Sequence, residues 1–263
     1  MDDSLLSHDA YLMAECPKAP SRRESQSITP VDGFRRNTVF SGLIWIISTF
    51  IILQVIAAGI LLLIDSNPTA ATNRLAALLV TIFADCLALI AIPVWLLGGY
   101  RPALRALGFR KLERKVVGWG IAGLALSYLA LGIYVGVVTL SGIDALMPIS
   151  AIDKKSIYEN IHLVVLTGIV VVLVAPLAEE VFFRGFLVGG IMRRWNLWSA
   201  VVLSSLFFAA IHFDVGSLIP FAIIGGIFTF IYIRSRNLLS SIIAHTLFNT
   251  IGFFGLIVER GIG

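Results

Sequence analysis

The chain has 263 residues, 58% of them hydrophobic and 14% charged, with a net charge of +4 and a pI near 9.3. A mean hydropathy of +0.92 is more apolar surface than a soluble globular domain can use, and it excludes that class. The basic residues lie between apolar runs, so they serve membrane topology and not nucleic-acid binding.

Residues 1–38 are rich in Ser, Pro and charge and are expected to form a flexible cytoplasmic tail. This polar stretch precedes a full-length apolar run, so no secretory signal is expected. Residues 39–263 are expected to be one membrane domain. Helices are expected near 39–64, 75–97, 116–140, 161–193, 196–213, 217–233 and 238–257. Several of these approach or exceed the roughly 20 apolar residues that cross a bilayer. The expected fold is therefore all-α, a polytopic transmembrane helix bundle of about seven spans, with a catalytic core over 161–257.

Within the first basic loop, "RALGFRKLERK" (105–115) alternates Leu or Phe with basic residues. It reads either as an interfacial helix on anionic headgroups or as an ordinary basic cytoplasmic loop. Gly132 and Gly136, and Gly185 and Gly189, have the small-xxx-small spacing that lets helices approach closely. With the N-terminus cytoplasmic, the tail, the 98–115 loop, Arg193–Arg194 and Arg234–Arg236 hold 15 of the 20 Lys and Arg. Arg74, Lys154, Lys155 and Arg260 fall on the other side. This asymmetry follows the positive-inside rule.

Cys16 in the tail and Cys86 in a span are not expected to bridge, and they form no CxxC metal motif.

The chemistry concentrates in "APLAEEVFFRG", residues 175–185, inside one of the most apolar stretches. Each ionised group at bilayer depth costs about 2.5–3.5 kcal/mol on insertion scales. Helical positions four apart share a face, so Glu180 and Arg184 are expected partners. Glu179 is left without a local partner. A carboxylate without a partner in apolar surroundings holds a proton more tightly than in water, as a general base near neutral pH requires. The alternative is a structural charge cluster at a helix end.

Two histidines follow. "FFAAIHF" sets Phe208 and His212 one turn apart, and "IAHTLFN" does the same for His245 and Asn249. Fourteen residues separate Glu179 from Arg193, and fourteen separate Trp198 from His212. A hairpin turning at "RRWNLW" would bring Glu179 and His212 to one level, although the loop after His212 would then lie at membrane depth. Pro176 is expected to kink the helix just before the site. A water between Glu179 and His212 could lose a proton and attack a carbonyl, while His245 and Asn249 suit an oxyanion hole. That set describes amide hydrolysis within a membrane.

"EEVFFRG" (179–185), "FAAIH" (208–212) and "HTLFN" (245–249) resemble the EExxxR, FxxxH and HxxxN motifs of the CPBP family. That family includes CAAX prenyl endopeptidases and bacteriocin-processing or self-immunity (Abi-like) membrane proteins. The resemblance covers roughly residues 100–257. It implies an intramembrane endopeptidase of the glutamate type, with its site open to the cytoplasm. It assigns water activation to Glu179 and His212 and the oxyanion to His245 and Asn249. Glu180, Arg184 and Phe208 take supporting positions. No cofactor is expected, the alternative being zinc held by Glu179, His212 and His245, without any HExxH motif.

Asp85 in the second span is expected to cap or bind a neighbouring helix, and Gln54 to pack. Asp214 and His162 are expected near solvated helix ends.

Two rival classes remain open on the sequence. One is a non-enzymatic immunity factor or scaffold of the same fold, and the other a proton-coupled transporter. Against the latter, the sequence shows no inverted repeat. The expected setting is the plasma membrane of a prokaryote. The expected partners are the lipid bilayer and a membrane-associated peptide or protein substrate, without nucleic acid.

Overall fold

The computed structural model describes residues 37–64, 70–148, 161–212 and 214–259. The expected tail over 1–36 with Cys16, and the loop residues Lys154, Lys155 and Arg260, lie outside these. Among the described residues there is no strand. In chain order the helices are α1 (Thr38–Ile64), α2 (Ala70–Leu96), α3 (Tyr100–Ala106), α4 (Arg114–Ser141), α5 (Ile161–Arg194), α6 (Leu197–Ala210), α7 (Val215–Ser235) and α8 (Leu238–Glu259). Apolar runs without charge force these segments to satisfy their backbone groups internally, which only helix or closed barrel allows in lipid.

Six of them are long and apolar enough to cross a membrane, and the protein is a multi-pass membrane protein. The segment expected as a seventh span, 196–213, forms the shorter helix α6 instead. Its 14 residues reach about 21 Å, short of the roughly 30 Å hydrocarbon core. The chain turns after α6 and restarts at Val215, where the first N–H groups of α7 need acceptors. Asp214 meets that need as the N-cap of α7. It accepts from Gly216 N at 3.2 Å and Ser217 N at 3.1 Å, and from the Ser217 hydroxyl. Asp214 thus stands at a helix end, as expected, and is half-buried there by its capping contacts. The short 3-10 turn Asp144–Leu146 comes back to the same place. Tyr134 Oη donates to Leu146 O at 2.8 Å and to Gly216 O at 3.1 Å.

The helix in the first basic loop falls at Tyr100–Ala106, not over 105–115, and residues 107–113 are non-helical. They are held by the opposite hairpin. Leu238 N donates to Gly108 O at 2.9 Å, and Asn237 Nδ2 to Lys111 O at 2.9 Å. Ala103, Ala106 and Leu107 are buried, so this segment is anchored in the protein and does not lie freely on headgroups. Gly108, at φ 86°, takes the left-handed conformation that lets the chain turn beneath Tyr232. These bonds bring the 98–115 loop and the Arg234–Arg236 turn to one basic end of the bundle.

Around Gly132 and Gly136 a Cβ would meet open space, so those two glycines do not mediate a close approach. Gly185 does: a Cβ there would lie 2.9 Å from Leu107 Cδ2. Glu180 through Ile191 are all buried, packed among α2, α6 and α8. By contrast α1 turns Ile44, Trp45, Ile51 and Val55 outward, a surface that suits lipid. Gln54 on α1 donates to Asp85 on α2 at 3.2 Å, which ties these helices as the sequence suggests.

Candidate active site

The site is built on α5, which is not one regular helix. Regular turns at Ile161–Gly168, Ala175–Glu180 and Gly189–Arg194 alternate with π-helical stretches at Ile169–Val174 and Val181–Val188. Such wide turns recur at functional sites, where they re-aim side chains. A π stretch ends just before Pro176, the position where the sequence suggests a kink. Glu179 and Glu180 occupy the regular turn between the two.

Glu180 is completely buried. Its Oε1 lies 2.9 Å from Arg184 Nη1, the expected pair four residues apart, and 2.9 Å from His245 Nδ1 on α8. The Arg184 contact is an ion pair set off the line of a hydrogen bond. A carboxylate accepts, so His245 Nδ1–H donates to Glu180, which fixes the ring. Arg184, also completely buried, donates from Nη2 to Gly225 O on α7 at 3.1 Å. Its guanidinium lies 4.4 Å from the Phe208 ring centroid and 5.4 Å from that of Phe228. Backbone dipole and aromatic faces thus complete the compensation of its charge.

Glu179 points elsewhere. Its side chain is 15% exposed, and Oε2 is buried with no hydrogen-bond partner. His245 Nε2 is 3.9 Å from that oxygen. One imidazole therefore faces both glutamates, with its Nδ1 side committed to Glu180 and its Nε2 side turned to Glu179.

His212, at the end of α6, keeps Nδ1 at 2.8 Å from Phe208 O. A carbonyl accepts, so Nδ1 carries the proton and Nε2 is the lone-pair nitrogen of the neutral ring. Its ring contacts Phe208 at 5.1 Å and Phe221 at 4.5 Å between centroids. The Phe208 ring also contacts His245, at 5.7 Å between centroids. Asn249, one turn beyond His245, donates from Nδ2 to Val171 O at 2.9 Å. The structure thus joins Glu179, Glu180, Arg184 and His245 directly, and links His212 to them through Phe208.

The sequence reading missed the contribution of α7. Gly225 O, Phe221 and Phe228 line the site, yet α7 reads as an ordinary apolar span. The one available signal was Gly225–Gly226 inside a helix, which points to close backbone approach. A Cβ at Gly225 would stand 3.5 Å from Arg184 Nη2. Among the described residues no three His, Cys, Asp or Glu side chains are grouped to hold a metal ion.

Residues 161–251 match the family described as type II CAAX prenyl endopeptidase Rce1-like, a stretch that contains all three motifs. The protein named "Putative membrane peptidase YdiL" of Bacillus subtilis is 32% identical over 98 residues, 37% of this chain and 40% of that one. An uncharacterized 24.3 kDa protein of Escherichia coli is 30% identical over 147 residues, 54% of this chain and 65% of the relative. The UPF0177 protein YxdF of Lactococcus lactis is 33% identical over 81 residues, 30% of this chain and 44% of the relative. The chain thus spans less than two thirds of the length of each of these relatives. No solved structure matches.

Proposed function

We propose that this chain, a member of the CPBP family through its Rce1-like segment 161–251, is an intramembrane endopeptidase of the glutamate type. The observation that carries the reading is the pair of adjacent glutamates in opposite states. Glu180 has its Oε1 taken up by Arg184 and His245 at 2.9 Å each, whereas Glu179 has neither contact and faces the oriented imidazole at 3.9 Å.

Glu179 takes a proton from water, and the hydroxide oxygen bonds to the scissile carbonyl carbon. The lone-pair Nε2 of His212 holds that water on its other side. The developing oxyanion is met by His245 Nε2–H and by the second N–H of the Asn249 amide. Because Nδ1 already donates to Glu180, His245 must carry both ring protons in that step. The carbon–nitrogen bond then breaks as Glu179 returns its proton to the leaving amine. Water activation needs no metal in this scheme. Phe208, Phe221 and Phe228 keep bulk water out, so each charge interaction is stronger than in solvent.

The substrate is a membrane-associated peptide or protein, and the setting a prokaryotic plasma membrane, in keeping with the bacterial relatives. The basic end of the bundle faces the cytoplasm. Cysteines placed at Lys111 and Asp144 test this orientation: only the second should react with an impermeant label on intact cells.

The deciding experiment compares peptides released by cells carrying wild-type and Glu179→Gln protein. Fragments present with the first and missing with the second support the peptidase. A non-enzymatic immunity factor or scaffold keeps its phenotype after Glu179→Gln, and that result would replace this reading.

A further inference from the structure

Pro176 and Asn249 meet at one backbone carbonyl. In the π stretch Ile169–Val174 each acceptor is served from five residues ahead, as when Ala175 N–H donates to Val170 O. The next acceptor in that register is Val171 O, and its donor would be residue 176. That residue is proline, which has no N–H. Val171 O is therefore orphaned within an apolar bundle, where an unmet carbonyl is costly. Asn249 Nδ2 reaches across from α8 and donates to it at 2.9 Å. The carbonyl can only accept, so the amide nitrogen faces it and the pairing has one sense.

This bond lies one turn along α8 from His245, which itself is tied to Glu180 on α5. Two polar ties four residues apart fix both the rotation and the height of α8 against α5. Without the Asn249 bond, the polar attachment of this part of α8 to α5 would rest on His245.

We propose that Asn249 is a positioning residue: by taking up the carbonyl that Pro176 orphans, it locks α8 in the register that holds His245 beside Glu179. The inference rests on the peptidase reading only in making that register matter for turnover. The lock itself is a property of the fold. It adds to the amide's second N–H, which remains available to substrate.

The test exploits the shared carbonyl. In Pro176→Ala the chain regains an N–H at 176. If the stretch stays π-helical, residue 176 serves Val171 O; if it relaxes to α, Ala175 does. Either way Asn249 loses its structural task. Asn249→Ala is made alone and with Pro176→Ala, and thermal midpoint in detergent, the His245 ring nitrogen resonances and the kcat and KM of cleavage are measured. Alone, Asn249→Ala should lower the midpoint, shift the His245 resonances and reduce kcat more than it changes KM. In the Pro176→Ala background the midpoint loss should fall by at least half, the resonances should return, and part of kcat should recover. Equal losses of midpoint and equal resonance shifts in both backgrounds would overturn the lock. Restored resonances with no recovery of kcat would show that Asn249 acts only on the reacting atoms, which also overturns the positioning role. Asn249→Leu provides a check that does not need Pro176→Ala to fold. It keeps size but has no donor, so it must reproduce the resonance shift of Asn249→Ala; an unchanged His245 signal defeats the proposal. If wild-type protein cleaves nothing, the peptidase reading fails while the midpoint and resonance comparison still decides the lock.

Discussion

The two sides of the Ala175–Glu180 turn differ more than their sequence separation suggests. On one side Glu180 is sealed in, its Oε1 shared between Arg184 and His245 at 2.9 Å each. On the other, Glu179 keeps a little exposure and stands 3.9 Å from the same histidine, clear of the Arg184 pair. A step of one residue rotates a side chain by about 100° on a helix, enough to move it from a closed network to an open face. The closed carboxylate cannot take a proton without giving up a cation, so it suits a structural part. The open one can, and the difference teaches that "EE" is not a redundant pair but a division of labour.

The largest effect should come from the open side. Glu179→Gln preserves shape and leaves the Glu180 network intact, but an amide does not accept a proton at neutral pH. Turnover per folded molecule should fall by at least about 10²–10⁴-fold with an unchanged thermal midpoint. If Glu180→Gln were well folded and inactive while Glu179→Gln still cleaved, the two sides would exchange roles.

On the closed side the damage should be to stability. Glu180→Gln strands a buried guanidinium, and removing one member of a buried pair costs about 3–5 kcal/mol. It also leaves His245 Nδ1–H facing a neutral amide in place of a carboxylate, so a loss of activity accompanies the loss of stability. Arg184→Gln should destabilise comparably while sparing the Glu180–His245 bond, and its surviving folded fraction should be the more active. The double substitution leaves no orphan cation, so its midpoint should lie above the additive expectation. Unfolding curves of the four proteins in detergent decide this, and strict additivity would mean that the two charges do not depend on each other.

Why these two sides could be told apart beforehand, and other features could not, follows from the range of each signal. Glu180 and Arg184 are one turn apart, so their pairing is a local matter that spacing alone settles. The long apolar runs announced the helices for the same reason, often to within a few residues of the observed ends. The contact of His245 with both glutamates spans 65 residues of chain. Periodicity says nothing about which histidine will reach them, and the hairpin argument favoured His212. The π stretches were equally out of reach, because i→i+5 pairing depends on tertiary partners such as Asn249. The length of α6 was misjudged because Ile211 and His212 continue the apolar pattern, while the structure ends the helix at Ala210 and restarts it on the Asp214 cap.

A smaller effect should follow from the aromatic wall that divides the site. Phe208→Leu keeps an apolar side chain against Phe183 but removes the ring face 4.4 Å from the Arg184 guanidinium. A desolvated cation–π contact contributes about 2 kcal/mol, and the packing change adds to it. The midpoint should drop by less than in Glu180→Gln, and turnover should fall modestly as both histidines lose a flanking ring. A drop as large as that of Glu180→Gln would place the weight of charge compensation on the ring and not on the carboxylate.

The smallest expected effect is none, and it bears on the open side again. A zinc ion in this site would draw on Glu179, His212 and His245, with each donor about 2.0–2.2 Å from the metal. Both Nδ1 atoms are already committed, to Phe208 O and to Glu180, so only the two Nε2 atoms and Glu179 remain. His212 meets the rings of Phe208 and Phe221, and its described link to the glutamates passes through Phe208 and not through a shared donor point. Among the described residues these three side chains are not grouped to hold a metal ion. Activity should therefore survive dialysis against a strong chelator, and purified active protein should contain far less than one zinc per chain by elemental analysis. Stoichiometric zinc, with activity lost on its removal and recovered on its return, would turn Glu179 from a base into a ligand and erase the contrast between the two glutamates as drawn here.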